Sequence, residues 1–142
     1  MKSFKEFFKK SNLPQSTYYH GSDDPELKFN DQKHSVRDGR PEDMSSTGIF
    51  TSPSKELASR YGKHLYAIKL SGKYKFIDDQ KSHTKEAGSD DHISLVSLRL
   101  NNAKNEGYDG AVLHNSLRPD MHHEVVCFNP HKTAKVHKKI ER

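Results

Sequence analysis

The sequence predicts a mixed α+β domain, and three observations predict it. The apolar residues fall into short runs, most of them the length of a β-strand, roughly 4–6 residues. Two stretches, Pro53–Tyr61 and Ile93–Asn105, instead carry helical signals and end at Gly62 and Gly107. Strand-like runs dominate the second half of the chain, an order that suits a small twisted sheet or two packed sheets. Leu, Ile, Val and Phe make 28 of the 142 residues, close to the composition of chains that stay unfolded. The net charge is only +5, however, and the clustering of apolar positions argues for one folded domain with a small core.

The elements follow in order. Met1–Asn12 reads as a short amphipathic helix with Phe4, Phe7 and Phe8 on one face, so residues 1–14 form a docked helix or a leader, and 15–142 a single domain. Leu13-Pro14 ends that helix. Thr17–Gly21 is strand-like, and Ser22–Thr47 is polar loop. Gly48–Thr51 is a second strand, followed at Ser52-Pro53 by a serine cap and a proline that open the helix to Tyr61. Leu65–Leu70 and Tyr74–Asp78 are strands, Gln80–His92 is loop, and Gly110–Leu113 is a strand after the second helix. Glu124–Phe128 is the most apolar strand. Asn129-Pro130 turns the chain toward an edge strand at Ala134–Val136, and Lys132, Lys135, Lys138, Lys139 and Arg142 read as a solvated basic tail or a nucleic-acid patch.

Several classes drop out. No apolar run approaches the roughly 20 residues of a membrane-spanning helix, and MKSFKEFFKK lacks the apolar core of a secretory signal. A single cysteine, Cys127, permits no internal disulfide and reads as a core residue of a protein in a reducing compartment, the cytoplasm. The basic balance, with a pI of about 9.2, permits a polyanionic partner without demanding one. Ten histidines include no His-x-x-x-His pair, and His122-His123 are adjacent and point apart, so no metal site is expected.

Three segments carry the chemistry. His20-Gly21 at a strand end sets a hydrogen-bonding ring beside a backbone that a flat ligand can approach, or is simply a turn. Phe50 and Tyr61, on a strand and at the end of the following helix, are either core aromatics or two rings that hold a planar cationic heterocycle. Glu124 opens an apolar strand, where a carboxylate either faces solvent or stabilises positive charge developing on a sugar during glycosidic-bond cleavage.

Taken together, "YHGS" at 19–22, "GIFTSPSKELASRY" at 48–61 and "EVVCFNP" at 124–130 resemble the ADP-ribosyltransferase superfamily. The similarity is to its His-Tyr-Glu branch, the branch of diphtheria toxin and the poly(ADP-ribose) polymerases, and to small phage-encoded domains of that kind. The resemblance implies two small packed antiparallel sheets around an NAD cleft, with flanking helices. It implies that His20 binds a ribose hydroxyl, that Gly21, with Ser22 beside it, grips the carboxamide, and that Phe50 and Tyr61 flank the nicotinamide. Glu124 would bind the ribose 2′-hydroxyl and stabilise the oxocarbenium-like transition state, and no metal is needed. Arg37 and Arg40 are placed to meet the pyrophosphate, and Arg118, His122 and His123 lie in the loop that reads the acceptor. Two positions depart from the pattern: Ala58 stands where many relatives have serine, and His122 where arginine-modifying relatives have Glu or Gln.

The function expected on this basis is mono-ADP-ribosyl transfer from NAD to a macromolecular acceptor, a host protein or a nucleic acid, by a phage or bacterial effector. NAD hydrolysis and a degenerate NAD-binding domain are the alternatives on the same fold. A small basic nucleic-acid-binding or virion-packaged protein is the alternative of another class.

Overall fold

The computed structural model describes residues 11–27, 29, 48–81, 85, 89–118, 120 and 123–141, and among them seven strands form two sheets. The first sheet orders β1 (Thr17–Ser22), β3 (His64–Leu70) and β7 (Ala134–Ile140), with β3 central and both pairings antiparallel. The second orders β2 (Ile49–Thr51), β6 (Glu124–Cys127), β5 (Gly110–His114) and β4 (Tyr74–Asp78). The α+β class therefore holds, with one correction to the sheets: β4 and β5 run parallel. Helix α2 (Asp90–Asn105) lies between them in the chain and returns it to the starting end of β4, which a hairpin cannot do.

Two apolar layers follow from strand alternation. Tyr18, Ile68, Leu70, Tyr74, Val112 and Val125 belong to a cluster that takes side chains from both sheets. On the other face of the second sheet Ala111, Leu113 and Val126 meet Val96, Leu100 and Ala103 of α2. Those helix positions recur at i, i+4 and i+7, which is one face of an α-helix. Leu95 and Leu98 fall off that face and stay 41% and 57% exposed. Cys127 is buried as a core residue, its Sγ 3.1 Å from Thr133 Oγ1.

Helix α2 begins three residues before the expected Ile93. Ser89 caps it, its hydroxyl accepting from His92 N–H at 3.2 Å, and Asp90 and Asp91 complement the first turn. Gly107 ends it at φ +95, where a side chain would be strained. Ser89→Ala should cost about 1 kcal/mol, read as a lower urea midpoint at unchanged slope. An unchanged midpoint would mean the helix start is held by its packing alone.

Three further expectations need correction. The helix expected over Pro53–Tyr61 is only α1 (Lys55–Ala58) followed by a 3-10 turn, Ser59–Tyr61, and its cap is Ser54 rather than Ser52. Gly62 is extended at φ 177, so it stops nothing by a left-handed turn. The basic C-terminal stretch is not a tail: Asn129-Pro130 leads into α3 (Pro130–Thr133), and β7 runs four residues past Val136 to Ile140. Of the expected N-terminal helix, 1–10 lies outside the described residues. Asn12 is not helical; its side-chain amide donates to Tyr74 O and accepts from Tyr74 N, both at 2.8 Å, at the start of β4. No helix among the described residues is long and apolar enough to cross a membrane.

Burial pushes the Tyr18 hydroxyl up to about 12, and that of Tyr74 higher still. Both ionise near pH 10 in the unfolded chain, which therefore releases its protons first. Stability is fully present below about pH 10 and is lost as pH rises toward about 12. Urea midpoints should hold level between about pH 8 and 9 and fall above about pH 10, less steeply in Tyr18→Phe.

Candidate functional site

The two sheets meet where β1 crosses the end of β2. Tyr19 and Ser52 form an antiparallel bridge, Tyr19 N–H donating to Ser52 O at 2.7 Å and Ser52 N–H to Tyr19 O at 2.9 Å. Immediately beyond it, His20 Nδ1 lies 2.7 Å from Phe50 O. A carbonyl only accepts, so Nδ1 carries the hydrogen, and Nε2 is the acceptor nitrogen of the neutral ring. The β2 backbone thus sets both the tautomer and the orientation of His20.

Gly21 and Gly62 let main chains interlock beside this ring. A Cβ on Gly21 would sit 2.1 Å from Ala58 O, and one on Gly62 would sit 2.4 Å from the Ser22 carbonyl carbon. The loop after β1 is pinned as well: Ser22 Oγ accepts from Asp24 N–H at 3.1 Å, and Asp23 Oδ1 from Lys63 N–H at 3.0 Å. Tyr61, half-buried, closes the 3-10 turn directly before Gly62.

Glu124 enters from the other side of the bridge. It opens β6 opposite Leu113 on β5. The β2–β6 pairing runs Ile49↔Cys127, Phe50↔Val126 and Thr51↔Val125, and ends there. The bridge to Tyr19 thus follows directly on the β2 ladder, and Glu124 precedes Val125, the last β6 residue of that ladder. Alternation puts Glu124 on the sheet face of Phe50 and Val126, and Phe50 packs against the α2-facing cluster. His123 takes the opposite face, its ring edge-on to Tyr18 with centroids 6.0 Å apart. Thr51 fastens β2 to β6, donating its hydroxyl to Val125 O at 2.9 Å.

The fold thus brings His20, Gly21, Ser22 and the Phe50 carbonyl to the joint between the sheets, with Tyr61 next to Gly62, while the Phe50 ring packs in the α2-facing cluster and Glu124 opens the strand paired with β2. Arg118 stands apart: it is exposed in the turn after β5, its Nε 3.5 Å from Asp120 Oδ1, and it holds that carboxyl below the usual range. Arg37, Arg40 and His122 lie outside the described residues.

Sequence reasoning missed two parts of this rim. Ser52 was read as a helix cap, yet it is the strand residue that joins the sheets. The other part is a polar cluster at the carboxyl ends of the parallel strands β4 and β5. There Asp78 accepts from both the backbone N–H and the hydroxyl of Ser116, bonds that hold its carboxyl below the usual range. Asp79 Oδ2 lies 3.3 Å from His92 Nε2, and both side chains are buried. The signal was the β-helix-β order itself, since polar groups gather at the carboxyl ends of parallel strands.

No family model and no curated protein matches this chain. A solved structure described as the crystal structure of an anti-CRISPR protein superposes with a TM-score of 0.49 and 17% identity, over 87% of this chain and 94% of that one. The resemblance to the ADP-ribosyltransferase superfamily is overturned: no family model and no curated protein of that family answers to the chain. The physical reason is that the resemblance rested on short strings that ordinary construction also requires. A glycine after His20 serves backbone interlocking, and "GIFTSPS" is a strand running into a capped turn.

Proposed function

We propose that the joint between the sheets cleaves the N-glycosidic bond of NAD and passes ADP-ribose to a macromolecular acceptor, the sheets flanking the dinucleotide cleft. The reading rests on the residues and their arrangement, not on membership of a family. The observation that carries it is the Tyr19–Ser52 bridge, which holds the His20 ring, fixed by Phe50 O at 2.7 Å, against β2, the strand paired with the β6 strand that Glu124 opens. One carboxylate and one oriented imidazole at a sheet rim suit a sugar that acquires positive charge as its bond breaks.

In this reading the Glu124 carboxylate engages a ribose hydroxyl, the His20 Nε2 meets the dinucleotide from the other face of the joint, and Gly21, Ser22, Phe50 and Tyr61 hold the nicotinamide end. The glycosidic bond breaks with its electron pair leaving on nicotinamide, which departs neutral because it was cationic when bound. Glu124 stabilises the cationic ribosyl carbon, and an acceptor nucleophile bonds to that carbon and gives up its proton to solvent. The chemistry needs no metal.

The test is nicotinamide release from NAD by the purified protein, with and without cell lysate, using NAD labelled in the adenylate phosphate. Transfer predicts release that rises with lysate and label that moves into macromolecules. Release that ignores lysate and yields free ADP-ribose converts the reading to hydrolysis. No release by folded protein in either condition overturns it.

A further inference from the structure

We infer that the outward face of the three-stranded sheet binds a single-stranded nucleic acid, independently of any NAD chemistry. The inward face carries Tyr18, Ile68 and Leu70 into the core, so alternate residues take the other face, where Leu65 and Ala67 of the central strand are covered, Tyr19 and Lys69 are half-buried, and Lys135 and Lys138 are exposed. The register sets two outward rows, Thr17–Lys69–Lys135 and Tyr19–Ala67–Lys138. Lys135 and Lys138 are three apart and would ordinarily face opposite ways. The pairing slips between Ala67 and Ile68, leaving His137 as an extra residue, and this bulge returns both lysines to one face.

Around the half-buried Tyr19 the face therefore gathers Lys69, Lys135 and Lys138, and Lys55 of α1 reaches over the Tyr19 ring at 5.5 Å. None of the strand residues on this face is Asp or Glu, and Glu56 beside Lys55 lies 3.9 Å from Arg60. Lysines on an open edge also deter strand pairing, but that role does not reach Lys69, which sits on the central strand opposite Lys135. Lys69 is turned toward β1, its ammonium donating to the Thr17 hydroxyl, which keeps its charge on this face. An aromatic ring set among cations is what a flexible strand of phosphates and bases takes up: lysines meet the backbone and the ring stacks a base. An acidic protein would use the charges but leave Tyr19 without a role.

Fluorescence anisotropy with a labelled single-stranded oligonucleotide of about 20 residues, at salt between about 50 and 200 mM, tests this. The wild-type chain should bind with an affinity that falls steeply with salt. Lys69→Gln/Lys135→Gln/Lys138→Gln should flatten the slope of log affinity against log salt by about 2, since each phosphate contact on a single strand contributes about 0.7. Tyr19→Leu should weaken binding about tenfold with the slope unchanged. Lys104→Gln on α2, away from the face, should change neither. Should the triple variant fold poorly, the exposed single variants Lys135→Gln and Lys138→Gln give the same readout, each flattening the slope by about 0.7. Absence of wild-type binding, a slope unmoved by the lysine variants, or equal binding of poly-glutamate overturns the inference. Nicotinamide release by the same variants separates this outcome from that of the NAD reading.

Discussion

Glu124→Gln is expected to lower nicotinamide release from NAD by about 10²–10³-fold while leaving the fold intact, the loss that follows removal of a preorganised group stabilising a transition-state charge. Glutamine keeps the size and reach of glutamate, and position 124 is the half-buried first residue of β6, whose ladder to β5 and β2 is made by backbone groups. Only the charge is withdrawn. If the carboxylate acts mainly on the sugar as the bond breaks, kcat falls while KM for NAD moves little. If it merely binds a ribose hydroxyl, KM rises and kcat holds. Undiminished release by the glutamine variant would remove Glu124 from the chemistry. A lowered thermal midpoint would show a structural role instead.

Apart from the last, the strands were legible because burial is one-sided or complete in them. Thr17–Ser22, His64–Leu70 and Gly110–His114 lie within a residue or two of their expected bounds. Short elements were not legible: α1 is a single turn, and a serine-proline start cannot say whether a helix continues past four residues. Strand direction was missed although its signal was present: a helix between β4 and β5 is the crossover that a parallel pair needs, and the expectation of antiparallel sheets overrode it. The lysine-rich end misled for a different reason. Its alternation is masked, because β7 exposes both faces from Lys135 to Lys139 and contributes mainly Ala134 to the core.

The candidate residues stand out singly in the sequence, but the contact between the sheets does not. His20, Phe50 and Glu124 were each picked out, yet nothing in the spacing of residues 19 and 52 announces an isolated bridge. A two-bond contact between sheets leaves no hydrophobic period to read. The family resemblance failed at the same level. Each of its strings was short enough to be produced by a strand end, a capped turn or an apolar strand, and the comparisons return no such family. What the fold itself supplies is the backbone frame, the Tyr19–Ser52 bridge and the His20 ring held on Phe50 O.

Gly21→Ala is expected to be the most damaging single-methyl change at the joint. The added carbon would lie 2.1 Å from Ala58 O and 3.2 Å from Gly62 N, all backbone, so no side chain can swing away. Relief requires the α1 turn to lift from β1, and that turn carries Tyr61 and abuts the bridge to Ser52. Overpacking of this kind costs about 1–3 kcal/mol and more where backbone must move, so a loss of about 3 kcal/mol is expected, read from the urea midpoint. Gly107→Ala calibrates it: nothing lies within 4 Å of its added carbon, and only the φ of +95 opposes the change. That variant should lose about 1 kcal/mol. Equal losses in the two would mean that β1 and the turn are not interlocked and that the joint is looser than its geometry implies. A larger loss at Gly21, together with weaker NAD turnover in the protein that remains folded, would tie the packing of the joint to its chemistry.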